Sequence, residues 1–159
     1  MDAEVDTLAP LTITVDVRCT PGAAFRYFTD DIGAWWPLAT YSVGRDAAAT
    51  CAFEPRVGGT LLERTHDGAI HAWGTVTAWE PPHRVAFTWH PGRTAETAQT
   101  VDVRFTATAS GTRVTLTHDG WSALGARGAG MRDEYRNGWR AVLAARFVQH
   151  VASAAGDGR

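Results

Sequence analysis

Residues 73–89, WGTVTAWEPPHRVAFTW, contain two apolar-rich runs on either side of residues 80–83, EPPH. Two consecutive prolines cannot take part in the hydrogen-bond ladder of a central strand, so they predict the turn of a β-hairpin. Three tryptophans, Trp73, Trp79 and Trp89, stand on or beside this hairpin. Rings of this size need a large apolar partner to cover them, which predicts a helix, a ligand or both against the sheet.

Regular alternation of apolar and polar residues predicts further strands. In residues 11–18 every second side chain is apolar, which is typical of a half-buried strand. Thr20 and Pro21 follow as an N-cap and a first helical residue, which predicts a short helix to about Asp30 and a second helical turn over 32–36. The other predicted strands cover 50–54, 60–65, 101–107 and the region around Val114 and Leu116.

The last third of the chain has the periodicity of a helix. Its apolar residues recur at steps of three and four: Met131, Tyr135, Trp139, Val142, Leu143, Phe147 and Val151. This stripe predicts a helix of about six turns that ends near Ser153. Six or seven strands joined mostly by hairpins predict an antiparallel sheet. The predicted fold class is therefore α+β, a helix-grip in which a curved sheet surrounds the long C-terminal helix, with two short helices after the first strand.

These elements predict one domain over residues 11–153, with short tails at 1–10 and 154–159. A strongly twisted sheet cannot contact a straight helix along its whole length. We therefore expect a space between sheet and helix, walled by aromatic rings.

The composition argues against several classes of function. The formal net charge of the 159 residues is −2 and no basic block is present, so we expect no nucleic-acid partner. No apolar run approaches the roughly 18 residues of a membrane span, and residues 1–10 do not resemble a signal peptide, so we expect a cytoplasmic protein without a membrane partner. Cys19 and Cys51 lack the spacing of metal ligands and the six histidines form no set, so we expect no metal and no cofactor.

Several short motifs together resemble a known family. From the N-terminus they are Trp35-Trp36-Pro37, Phe53-Glu54-Pro55, Gly58-Gly59, Glu63-Arg64, Trp73-Gly74, Trp79-Glu80-Pro81-Pro82, Trp89 and Gly138-Trp139. The chain is similar to the START/Bet v 1-like (SRPBCC) superfamily, and within it to the branch named after the activator of Hsp90 ATPase, the AHSA1-like proteins. The resemblance implies the helix-grip fold. It leaves the activity open, since the superfamily contains lipid carriers, cyclases, hydratases and oxygenase domains.

Three tryptophans on predicted helices are candidates for a pocket. Trp35 and Trp36 are adjacent, so we expect only one ring to face the interior, as a plug of the core or as a gate over a pocket. Gly138 lies inside the long helix, where glycine costs about 1 kcal/mol relative to alanine. It provides either close packing of Trp139 against the sheet or room for a ligand. The Tyr135 hydroxyl, one turn earlier, needs a partner from the protein or from a ligand.

The sequence determines less well which side of the sheet the strand residues face. Glu63 is either a desolvated carboxylate with a raised pKa, suited to acid/base work or to a polar ligand group, or one half of a cross-strand salt bridge with an arginine. Gly74 offers a bulge that changes the facing of its strand. We expect Trp73 and Trp89 to approach the interior and Trp79 to lie near the outer edge.

We expect a small-molecule-binding protein whose mostly apolar, aromatic-lined pocket takes an apolar or aromatic ligand. One alternative is an enzyme of cyclase, dehydratase or hydrolase type in the same pocket; another is a protein-interaction or stress-related module with a filled core. We do not expect Hsp90 co-chaperone activity, because the chain shows one domain without the separate N-terminal region of co-chaperones, and a homodimer is left open. The candidate ligand-binding residues are Trp35, Trp36, Glu63, Trp73, Trp89, Phe105, Tyr135 and Trp139, and the candidate catalytic residues are Glu63 and Tyr135.

Overall fold

The structure is a computed structural model that describes residues 8–158. Its strands are β1 (Leu11–Val17), β2 (Ala48–Phe53), β3 (Thr60–Thr65), β4 (Ile70–Glu80), β5 (Arg84–Trp89), β6 (Gln99–Ala107) and β7 (Thr112–Asp119). They form one seven-stranded sheet in the order β1-β7-β6-β5-β4-β3-β2, with every neighbouring pair antiparallel. The predicted antiparallel sheet and the hairpin turn between β4 and β5 are confirmed.

Two short helices follow β1, as predicted: α1 (Pro21–Thr29) and α2 (Ile32–Trp35). The Thr20 hydroxyl accepts a hydrogen bond from the backbone N–H of Ala23 at 3.2 Å, which makes it the N-cap of α1. The long C-terminal helix comprises α3 (Gly128–Arg140), a π-helical segment (Ala141–Phe147) and α4 (Val148–Gly158). It extends beyond the predicted end near Ser153. Together with the curved sheet it forms the helix-grip.

A bulge in β4 sets which side chains enter the core. The pairing of β3 with β4 changes register between Leu61 and Leu62, opposite Trp73 and Gly74. A Cβ atom on Gly74 would lie 1.7 Å from the carbonyl oxygen of Thr88, so only glycine fits there. The bulge buries Trp73 and Gly74 side by side, which confirms the predicted change of facing.

The two adjacent tryptophans at the end of α2, Trp35 and its C-cap Trp36, are both buried, so the prediction that only one would face the interior is wrong. The exposed fraction is 2% for Trp35 and 5% for Trp36. Trp36 caps the helix in an extended conformation, with φ −67° and ψ 130°, which frees its ring from the helical spacing. Each indole N–H also finds a backbone carbonyl, that of Tyr27 for Trp35 (2.9 Å) and that of Tyr41 for Trp36 (2.7 Å).

Four rings fill the centre of the space between sheet and helix. The tryptophan cluster consists of Trp36, Trp73, Trp89 and Trp139. The ring centroids lie 5.3 Å apart for Trp36 and Trp73, 5.7 Å for Trp36 and Trp139, and 5.4 Å for Trp89 and Trp139. Trp73 and Trp89 are therefore interior, as predicted, whereas Trp79 is only partly buried.

No helix within residues 8–158 is long and apolar enough to cross a membrane.

Candidate functional site

A cavity of about 550 Å³ opens beside the tryptophan cluster. It is bounded by the C-terminal helix, by residues 40–45 (the pocket loop) and by the chain just after β5. Its apolar lining includes Trp36, Trp89, Met131, Trp139 and Val142, and its polar lining includes Ser42, Arg45, Glu134 and Tyr135. An apolar wall with a few polar groups is typical of small-molecule sites, and the volume lies within their usual range.

Gly138 contributes to this cavity by lacking a side chain. A Cβ atom at this position would lie 3.9 Å from three atoms of the Tyr41 side chain, the hydroxyl oxygen among them, an ordinary van der Waals distance. Close packing therefore does not require glycine here. The space beside Gly138 belongs to the cavity, which favours the second of the two predicted reasons for this residue.

Tyr135 and Trp89 are joined across the cavity wall. The indole N–H of Trp89 donates a hydrogen bond to the Tyr135 hydroxyl oxygen at 2.9 Å. This contact ties the end of β5 to α3. The Tyr135 hydroxyl thus has a partner from the protein, and the residue is partly buried at the cavity surface.

Glu63 is fully buried but does not line the cavity. Its carboxylate accepts three hydrogen bonds of 2.7 Å, from the backbone N–H groups of Val43 and Gly44 and from the indole of Trp73. The alternative of a cross-strand salt bridge with an arginine is wrong, because these N–H groups compensate the carboxylate instead. Glu63 thereby holds the pocket loop in place.

Burial, and secondly the charge of Glu63, raise the pKa of the Cys51 thiol to about 12.

A second buried polar group, His118, lies behind Trp139. The Trp139 indole donates to its Nδ1 at 2.9 Å, and because an indole N–H only donates, the His118 proton must sit on Nε2. Nε2 in turn lies 3.3 Å from Oε1 of Gln99, to which it donates. The imidazole stacks on Trp121 with centroids 4.1 Å apart. Burial, and secondly the charge of Arg93, lower the pKa of His118 to about 3.

The sequence interpretation missed this histidine as a site residue. In the sequence the six histidines are interpreted only as possible metal ligands, yet the alternation of β7 continues through Val114 and Leu116 to His118. All three side chains are fully buried. The strand period was therefore the signal that places His118 inside.

The predicted site residues divide into two groups of four. Trp36, Trp89, Tyr135 and Trp139 line the cavity, and their contact with a ligand stays a prediction. The other four are buried outside its lining: Trp35, Glu63, Trp73 and Phe105. The pocket loop was not predicted, since a loop has no periodicity that indicates its position. Within the described part of the chain, no three His, Cys, Asp or Glu side chains are grouped as metal ligands.

The family model described as Activator of Hsp90 ATPase homolog 1-like protein matches residues 18–152. The chain belongs to this AHSA1-like family. The seven-stranded sheet around the long helix agrees with the START/Bet v 1-like superfamily to which the family is assigned. No protein of curated function matches this AHSA1-like chain.

Solved structures share the fold. An AHSA1-like protein from Aeromonas hydrophila is 21% identical, with 92% of this chain and 94% of that chain covered and a TM-score of 0.66. A protein from Rhodobacter sphaeroides is 19% identical, with 94% and 93% covered and a TM-score of 0.67. An anthrahydroquino-gamma-pyrone synthase, Txn09, determined as a complex, is 29% identical, with 91% and 95% covered and a TM-score of 0.59.

Proposed function

We propose that this AHSA1-like protein binds a small, mostly apolar molecule, aromatic or acyl, in the cavity beside the tryptophan cluster. The observation that carries the proposal is the cavity of about 550 Å³ whose lining includes three tryptophans and the bare backbone of Gly138. Apolar contact with the rings supplies affinity, and Tyr135 supplies a polar contact that orients the ligand. Cytoplasmic location stays a prediction from the sequence, and homodimer formation stays open.

The second candidate function is catalysis in the same cavity. Its support is the 29% identity to the anthrahydroquino-gamma-pyrone synthase over 91% of this chain. Tyr135 is then the group that polarises a substrate carbonyl by hydrogen bonding. Glu63 is too enclosed for acid/base work on a ligand, because it is fully buried and its carboxylate accepts its three hydrogen bonds from the pocket loop and Trp73. Glu134 is the carboxylate that lines the cavity.

The structure also offers a matched pair of variants for a direct test. In Gly138→Leu the new side chain enters the cavity beside Tyr41. In Gly130→Leu, on the same helix α3, a Cβ has no atom within 4 Å, so the side chain lies in open space. Both changes replace glycine by a good helix former, so any difference between them reports on the cavity.

Native mass spectrometry after incubation with a small-molecule extract of the native cells is the decisive measurement. We expect an adduct on the wild type and on Gly130→Leu, and its loss on Gly138→Leu. A bound mass that differs from every mass in the extract indicates turnover and favours the enzyme. Bare protein throughout, or an adduct that Gly138→Leu retains, contradicts the proposed pocket. The same spectra give the oligomeric state.

A further inference from the structure

The Tyr135 hydroxyl has one hydrogen-bond role left to fill. Its oxygen accepts a hydrogen bond from the Trp89 indole at 2.9 Å. Because an indole N–H can only donate, the direction of this hydrogen bond cannot be reversed. The hydroxyl proton must therefore point to another atom. Among the hydrogen bonds of the described residues, the Tyr135 hydroxyl takes part only as the acceptor from Trp89. Since Tyr135 lines the cavity, the proton is available to an acceptor that occupies the cavity.

The ring that carries this hydroxyl is held in one orientation. Its centroid lies 4.9 Å from that of His118 and 5.7 Å from that of Trp121, so aromatic neighbours support it from behind. The Trp89 N–H fixes the oxygen from a further side. A hydroxyl that accepts a hydrogen bond is also a stronger donor, because linked hydrogen bonds polarise one another.

Two other donors on the cavity wall, Ser42 and Arg45, form hydrogen bonds within the protein. The Ser42 hydroxyl donates to the backbone carbonyl of Leu38, and its oxygen accepts from the backbone N–H of Arg45. The Arg45 guanidinium donates to the carbonyl of Thr40 at the exposed rim. Thr40 and Tyr41 on the pocket loop also line the cavity, whereas the Tyr135 hydroxyl is the one joined to Trp89 in the tryptophan cluster.

From this geometry we infer that the ligand is a planar aromatic molecule with a carbonyl-type acceptor oxygen, and that Tyr135 selects it over the corresponding hydrocarbon. The inference rests on the proposed binding function and names its ligand class. The rings of Trp36, Trp89 and Trp139 provide apolar contact for a flat molecule. A donor hydroxyl that is fixed beside such rings discriminates by the acceptor, since a hydrocarbon leaves its proton unpaired.

The test uses 9-fluorenone and fluorene, which share one flat carbon frame and differ by a carbonyl in place of a methylene. Equilibrium dialysis measures the affinity of both for the wild type, for Tyr135→Phe and for the control Tyr27→Phe. Tyr27 lies away from the cavity, against His150. We expect the wild type and Tyr27→Phe to prefer fluorenone by about five- to tenfold, the effect of one neutral hydrogen bond. Tyr135→Phe should bind both compounds with the same affinity.

The infrared carbonyl band of bound fluorenone provides a second readout that does not depend on a folded variant. On the wild type we expect this band to move to lower wavenumber than that of fluorenone in hydrocarbon solvent. Equal affinities of the wild type for the two compounds, or an unshifted band, overturn the inference and leave the binding function standing. Absence of binding by both compounds counts against the proposed function itself.

Discussion

Glu63 is a fully buried carboxylate whose contacts with Val43 and Gly44 hold the pocket loop against the sheet. In Glu63→Gln one carboxylate oxygen becomes an amide N–H₂, which then faces N–H donors. Hydrogen bonds to charged groups contribute about 1.5–3 kcal/mol each, so we expect the free energy of unfolding to fall by about 3 kcal/mol. Hydrogen exchange of the Val43 and Gly44 amides, measured by NMR, should accelerate more than that of the sheet.

The control for this substitution is Glu54→Gln. Glu54 also accepts a backbone amide, that of Thr60 at 2.7 Å, but its side chain is 43% exposed. Solvent compensates an exposed polar group, so we expect a loss below about 1 kcal/mol. Unchanged exchange at Val43 and Gly44 in Glu63→Gln would show that the carboxylate does not hold the loop.

The sequence left the role of Glu63 undecided for a physical reason. Both faces of its strand carry one leucine and one charged residue, so alternation gives no preferred side. Its main partners are backbone amides of a loop twenty residues away in the chain, and backbone donors leave no trace in the residue types. The same reasoning explains why the sequence leaves two alternatives open, a desolvated carboxylate and a salt bridge with an arginine, and indicates neither backbone donor.

At the scale of the elements, the bulge of β4 supports the placement of Trp73. In Gly74→Ala the new Cβ would meet the Thr88 carbonyl 1.7 Å away, so β4 and β5 must separate locally. Hydrogen bonds between the two strands are lost and the packing around them is displaced. We therefore expect the free energy of unfolding to fall by more than about 3 kcal/mol, or the variant not to fold stably. Urea unfolding of the variant measures this loss.

Gly68→Ala is the comparison for this bulge. Gly68 has φ +93° and no atom within 4 Å of a Cβ, so only backbone strain of about 1–2 kcal/mol is expected. Similar losses for the two variants would show that close approach at Gly74 is not what constrains the strand.

The hairpin, the strand periods and the apolar stripe of the last helix predicted most elements, because each depends on local spacing. The π-helical segment Ala141–Phe147 was not predicted. It buries Val142, Leu143 and Phe147, and the same apolar positions also suit an ordinary helix. The wider turn depends on how the helix packs on the sheet, which spacing along one chain does not encode.

The predicted space between sheet and helix is partly filled by side chains and partly open. The tryptophan cluster fills its centre, and the cavity lies at one end under the pocket loop. Whether a large ring fills a space or lines it depends on its side-chain rotamer and on the hydrogen bond that fixes its indole. Composition gives the number of rings, and only the folded arrangement gives the volume that remains.

The stability of the whole molecule should depend on pH through His118. Its pKa of about 3 in the folded state lies below the ordinary value of 6.5, so folding favours the neutral ring. The stability that the neutral His118 ring contributes is fully present above pH 6.5 and is lost as the pH falls towards 3. Between pH 7 and pH 5 the unfolded chain takes up the proton and the folded protein does not, which costs about 2 kcal/mol.

His118→Gln isolates this contribution, since glutamine keeps polar atoms beside Trp139 but does not titrate. Urea unfolding of wild type and variant at pH 7 and pH 5 gives two differences in the free energy of unfolding. We expect the wild type to lose about 2 kcal/mol more than the variant between the two values. Parallel losses would mean that the buried imidazole is protonated in the folded protein, and the donor assignment of Trp139 to Nδ1 would then fail as well.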